Sequence, residues 1–167
     1  QGSHIKARLD NTAVAGGFAL ARPTLRSEQR LSLQLHVDEV DVVRAKSFVP
    51  FNVPQGLADW IARGPQQGQL VNAQYASHGQ IRVSPGELGR RIELTSDLRD
   101  AAVEYDPAWP IVRGVEGHVH VAGIDTRVAI ASGISQTVIL RESNLVLHNN
   151  ASYVTGELDV VGGTASL

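Results

Sequence analysis

LSLQLHVDEVDV, residues Leu31 to Val42, is the stretch from which the rest of the chain can be read. Leu31, Leu33, Leu35 and Val37 alternate with Ser32, Gln34 and His36, the period of two that puts apolar side chains on one face of a strand and polar ones on the other. Near Asp38-Glu39 the parity slips, and a fresh apolar set begins at Val40 and Val42. Because alternation ties each side chain to a face, such a slip predicts a turn or a bulge at that point.

Working outward, the same alternation recurs in short bursts. Val71, Ala73 and Tyr75 form one; Ile92 with Leu94, Ala101 with Val103 and Tyr105, and Val115 with Val119 and Val121 form others. Val128 with Ile130, Leu145 with Leu147, and Val154 with Leu158 and Val160 complete the series, giving something over ten candidate strands. Gly16-Gly17, Ser84-Pro85-Gly86, Gly114, Gly123, Asn149-Asn150 and Gly162-Gly163 fall between bursts and supply the permissive backbone of tight reversals. The gaps are too short for helical crossovers, so the strands should be mainly antiparallel and hairpin-connected.

One stretch breaks the pattern. In FVPFNVPQGLADWIARGPQQGQL, Phe48 to Leu70, the residues Leu57, Trp60 and Ile61 fall at i, i+3 and i+4. Pro54 suits a first helical turn and Gly64-Pro65 a stop, which predicts one amphipathic helix over about 54–64. A helix so short needs a surface to dock on, and Trp60 is its anchor. A second landmark, AVEYDPAWPIV from Ala102 to Val112, reads as a strand ending in a Tyr-x-Pro-x-Trp-Pro corner, with Tyr105 and Trp109 as structural plugs. Alternation demands that one sheet face be covered, and a barrel, a sandwich and a curved open groove all satisfy it.

Composition narrows the function. The chain has 167 residues, with 43% hydrophobic and only 5% aromatic residues. The apolar mass is therefore Val, Leu, Ile and Ala, without the ring platforms that bind single-stranded nucleic acid. A formal net charge of -2 offers no long-range attraction to phosphate backbones, so nucleic acid is not an expected partner. There is no cysteine, which excludes disulfides, Cys-ligated zinc and thiol catalysis. No apolar run approaches the roughly 20 residues that span a bilayer as a helix. Residues 1–4 read as the remnant of a cleavable tag, and 5–167 as a single piece of a longer β domain.

Residues with chemical potential are few. His118 and His120, at i and i+2, point to one side of a strand, but no third ligand stands at matched spacing, so the pair reads as a polar strand face. Gly133-Ile134-Ser135-Gln136-Thr137 approaches a nucleophile elbow and lacks its second glycine. Acidic groups at Asp38, Glu39 and Asp41, and at Asp97 and Asp100, suit solvated strand ends better than an acid/base pair. Arg90-Arg91 reads as a charged hairpin edge, and Asn150-Ala151-Ser152 matches a glycosylation sequon. No catalytic residue, metal site or cofactor is expected.

Two spaced motifs carry a family resemblance. The order Phe48-Val49-Pro50, Pro54, Leu57, Trp60-Ile61, Gly68, Leu70 and Ala73 resembles the central region of the YhdP-like proteins of the AsmA superfamily. About thirty residues later Tyr105, Pro107, Trp109 and Pro110 match that family's corner, and Gly156 with Gly162 are similar to a late glycine pattern. The likeness covers roughly Val40 to Leu167. One departure is Ile81-Arg82-Val83-Ser84-Pro85, where the family often carries Phe-Pro-Phe.

The resemblance implies a curved antiparallel sheet forming an open U-shaped groove. It further implies a periplasmic part of a protein anchored in the inner membrane of a Gram-negative envelope, carrying phospholipid to the outer membrane without catalysis. On that basis Leu33, Leu35, Val119, Val121, Val128, Ile130, Leu145 and Leu147 are expected to line the groove and meet phospholipid acyl chains. Two other readings stay open: a polypeptide-binding module that adds client strands during outer-membrane protein assembly, and a spacer whose core is filled by its own side chains.

Overall fold

A computed structural model of the chain describes residues 3–9, 12–22, 29–48, 59, 61–81, 90–104, 108, 110–123, 125–148 and 154–161. These residues build one antiparallel sheet of nine strands in sequence order. The strands are β1 (Ser3–Leu9), β2 (Thr12–Ala21), β3 (Arg30–Asp41), β4 (Pro65–Gln80), β5 (Arg90–Val103), β6 (Val112–Ala122), β7 (Asp125–Ser135), β8 (Val138–His148) and β9 (Val154–Val161). Each pairs with its sequence neighbours, so among the described residues β1 and β9 are the edge strands and the sheet is open. Neither a closed barrel nor a two-sheet sandwich forms among the described residues. β1 begins at Ser3, inside the segment read as a tag remnant, and Ser3 and His4 pair with Phe18 and Gly17.

The parity slip at Asp38-Glu39 does not end a strand. β3 runs through it to Asp41, with Val40 buried beyond the slip. The same step of three replaces the step of two on each of the next five strands. Inward positions jump from Ala73 to Leu70 on β4, from Leu98 to Ala101 on β5 and from Val115 to Val112 on β6. On β7 the jump is from Ile130 to Gly133, and on β8 from Ser143 to Leu140. Backbone at left-handed φ marks several of these sites, at Asn72 (53°), Asp100 (47°), Gly114 (58°) and Glu142 (45°).

Where two neighbouring strands carry their extra residue opposite each other, as β3 with β4 and β7 with β8, the register continues unbroken. Where the extra residues are staggered, the register shifts, as between Val71 and Gln74, Leu98 and Ala101, or Arg113 and Glu116. β9 has no such insertion, and the β8–β9 register shifts between Arg141 and Asn144. Each bulge bends its strand and increases its twist. Six in adjacent strands place those bends along one line.

This explains why nine strands appear where the bursts suggest more than ten. Ile92 with Leu94 and Ala101 with Val103 look like two strands, yet both belong to β5, divided only by its bulge. Val42 is a second correction: read as a strand residue, it opens a short helix, α1 (Val42–Ala45). Asp41 diverts the chain by capping it, its carboxylate accepting the N–H groups of Val43 at 2.8 Å and Arg44 at 3.3 Å. A 3-10 turn, Lys46–Phe48, follows.

Of the helix expected over 54–64, Asp59 and residues 61–63 are helical, Gly64 bends out of it, and residues 54–58 with the anchor Trp60 lie outside the described residues. Tyr105 and Trp109 also lie outside them. Lys46 Nζ donates to the Ala62 carbonyl at 2.8 Å, tying the two helical pieces together. Ile61 packs on the sheet's apolar cluster and α1 lies against β4, so this excursion sits beside the bulged end of the sheet.

Two glycines of the spaced motifs acquire a physical reason. Gly68 stands at φ 107°, and a Cβ there would sit 2.5 Å from Ala101 Cα, inside the bulge of β5. At Gly156, a Cβ would sit 2.4 Å from the carbonyl oxygen of Asn144. Both positions let backbone approach backbone where the sheet bends.

Candidate functional site: the apolar sheet face

Pairing in an antiparallel sheet joins residues of the same face, so the register assigns faces without further assumption. Leu35 pairs with Gly16 on β2 and Tyr75 on β4; Tyr75 pairs with Leu94, Leu94 with Val121, Val121 with Thr126, and Thr126 with Leu147. Leu33 stands one step along the same face, between Phe18 and Ser77. Val119 pairs with Val128 and Val128 with Leu145, while Ile130 pairs with Gly117 and Ser143. All eight residues expected to line a groove therefore share one face.

Their burial is graded. Val119, Val121, Val128 and Ile130, on the central strands, are buried, and Leu33, Leu35 and Leu145 are half-buried. For Leu147 the strand position alone is described. The central residues form one cluster with Leu98, Ala101, Val112, Val115 and Leu140. These last five lie at or beyond the bulges; alternation had grouped Val115 with Val119 and Val121, but sequence reasoning did not place the other four on this face. The missed signal was the spacing of three between successive apolar positions, which looks like an ending when each strand is read alone.

Hydroxyls on the same face were also missed. Ser77, Ser96, Thr126 and Ser143 are all buried, Thr126 at 0% and Ser96 and Ser143 at 1% exposure. Two of them complete the ladder where bulges interrupt it. Ser96 Oγ donates to the Val71 carbonyl at 3.1 Å, beside the β4 bulge. Ser143 Oγ accepts the Asp159 N–H at 3.0 Å, at the β8 bulge. A third bulge is completed from the other face, where Glu116 Oε1 accepts the Asp100 N–H at 2.9 Å. A backbone group held away from water without a partner costs free energy, and at the two part-buried sites the serines remove that cost.

The opposite face is polar. His118 Nδ1 lies 2.9 Å from Asp97 Oδ1, and His120 Nε2 lies 3.2 Å from Glu93 Oε1. Asn72 Nδ2 donates to Asp97 at 3.5 Å. The hydrogen bond from His118, with the weaker one from Asn72, holds the Asp97 carboxyl below its ordinary value. The two histidines thus serve as cross-strand partners for carboxylates, and among the described residues no three His, Cys, Asp or Glu side chains are grouped to hold a metal ion.

The remaining sequence candidates are scattered. Ser135 ends β7, and Gln136-Thr137 form the turn to β8. Arg90-Arg91 open β5 opposite Gly79 and His78. The sequon at 150–152 lies outside the described residues. No helix among those residues is long and apolar enough to cross a membrane.

A family profile described as YhdP protein matches residues 1–165, nearly the whole chain. The chain belongs to the YhdP family. The match extends across β1 to β3, beyond the stretch from Val40 onward where the motifs alone carried the likeness. No curated protein and no solved structure matches the chain. For a YhdP-family chain, the open sheet with one apolar face fits the groove architecture that the motifs implied.

Proposed function

We propose that the apolar face is a segment of a conduit for phospholipid acyl chains, working without catalysis between the inner and outer membranes of a Gram-negative envelope. In this reading the chain is a periplasmic part of an inner-membrane-anchored protein. The observation that carries it is the continuity of one apolar face across an open sheet, from Leu33 and Leu35 on β3 to Leu145 on β8.

Burial of an acyl chain is worth about 0.8 kcal/mol per methylene, so exposing about fifteen methylenes to water costs about 12 kcal/mol. A continuous aliphatic strip removes most of that barrier while the headgroup stays hydrated. Strands stand about 4.8 Å apart, so the eight intervals of this sheet span about 38 Å. Val, Leu and Ile suit such a strip because apolar contact has no direction, and a chain can slide along it.

Photo-crosslinking tests the proposal. A crosslinking residue at Leu35 or Leu145 should capture phospholipid in cells, and one at the outward neighbours Gln34 or Asn144 should not. Equal capture from both faces, or none from either, would remove the reading.

The open edges favour a second reading, in which client polypeptide adds to β1 or β9 by strand pairing. Recovery of peptide from a crosslinker at Glu157, with no lipid from Leu145, would select it.

A further inference from the structure

Outside the bulges, and among the described residues, charge reaches the apolar face at one rim only. Arg90 opens β5 and pairs with Gly79, Gly79 with Leu31 and Leu31 with Leu20, which puts position 90 on that face. On β2 the alternation of Phe18 and Leu20 runs on to the exposed Arg22. Both arginines stand at the end of the strands away from the row of bulges. At the bulged end the same face finishes on Val103, Val112, Ser135 and Val138.

One row inside this rim lies a buried hydroxyl. Ser77 pairs with Leu33 and Ile92, and Leu33 with Phe18, so it is set among apolar residues next to the row of Gly79 and Arg90. Ser77 is 6% exposed, and its Oγ makes no hydrogen bond to a described residue, unlike those of Ser96 and Ser143. Burying a hydroxyl unpaired costs free energy, which an acceptor oxygen on a ligand would recover. From Ser77 to Leu70, at the β4 bulge, the face runs seven residues, about 23 Å. That is room for an acyl chain of about 15 Å, half the hydrocarbon thickness of a bilayer.

We infer that this rim holds the polar end of a phospholipid. Ser77 donates to a glycerol ester oxygen, Arg90 and Arg22 take the phosphodiester, and the acyl chains lie along the strands toward the bulges. The inference rests on the lipid reading and adds to it a fixed orientation and a requirement for phosphate. Guanidinium suits the task because its planar fork meets two phosphate oxygens at once. The two arginines stand three strand intervals apart, about 14 Å, so they bracket a headgroup passing from strand to strand rather than share one oxygen. A diacylglycerol offers the same tails and esters, with nothing for the arginines.

Lipid uptake by the chain, counted by native mass spectrometry, tests it. From mixed detergent micelles holding equal amounts of phosphatidylglycerol and a diacylglycerol with the same acyl chains, the wild type should take the phospholipid about tenfold over. The double variant R22Q/R90Q should lose that preference and keep its diacylglycerol. Ser77→Ala should bind several-fold less of both lipids yet unfold at no lower temperature than the wild type, because no protein partner is lost. Inorganic phosphate in excess should leave the phospholipid bound, since its tails supply most of the hold. A wild type that takes neither lipid would remove the conduit reading and this site with it. Lipid bound without preference, a preference that survives R22Q/R90Q, or displacement by inorganic phosphate would overturn the headgroup site alone. So would a Ser77→Ala chain that binds as the wild type does or is destabilised.

Discussion

The Oγ of Ser143 accepts the N–H of Asp159 at 3.0 Å, at the place where β8 and β9 fall out of register. One side-chain atom takes the place of a ladder carbonyl. Replacing it by alanine leaves a backbone donor without its partner in a part-buried position. Ser143→Ala should therefore lower the unfolding free energy by about 1–3 kcal/mol, read from the urea midpoint at constant slope.

Gly68 permits the close approach of the β5 bulge. Gly68→Ala forces a side chain into left-handed backbone and against Ala101 Cα. The strain alone is worth about 1–3 kcal/mol, and the steric contact adds to it. Thermal unfolding should show a clear drop, whereas alanine at the exposed Gln67 should change little.

Ile130 and Ile134 test the change of phase directly. Strict alternation puts both on one face, because they are four residues apart. The extra residue on β7 instead leaves Ile130 buried and Ile134 at 53% exposure. Ile130→Ala should cost about 2–5 kcal/mol and Ile134→Ala about 0.5 kcal/mol or less. Equal costs would contradict the assigned faces.

Asp97 gives a pH dependence with a definite sign. Its carboxyl is held below the ordinary value first by the His118 hydrogen bond and then by that from Asn72. A carboxyl whose folded pKa is depressed adds stability above the unfolded value of about 3.9, and that contribution is lost as pH falls through the folded pKa. The group is half exposed, so the effect is screened. The difference in denaturation midpoint between the wild type and Asp97→Asn should shrink as pH is lowered below about 4.

Much of this architecture was legible in the sequence, and the limits have a physical origin. Period two along Leu31 to Val37 fixed the strand and its faces, and the slip at Asp38-Glu39 was correctly a bulge or turn. A break in period looks the same in one dimension whether the strand stops or bulges, because the difference lies in the neighbouring strand. Ile92 to Val103 was divided for that reason. Alternation and the family motifs grouped Leu33, Leu35, Val119, Val121, Val128, Ile130, Leu145 and Leu147 as an expected lining, but that they share a face is read from register, which links residues more than a hundred positions apart. The buried hydroxyls of Ser96 and Ser143 could not be read from hydropathy, since their value is in partners that the bulges create.

The row of bulges from β3 to β8 also constrains how such a chain can change length. Removing one residue from the regular part of a single strand, such as Thr95, would exchange wetted and greasy sides over part of that strand while its neighbours kept theirs, whereas removing the extra residue itself, such as Asp100, would restore the step of two, keep both sides and lose that strand's bend. Single insertions and deletions within a strand keep its faces only where a bulge absorbs them, so drift in length is free at the hairpins and confined to this seam inside the strands.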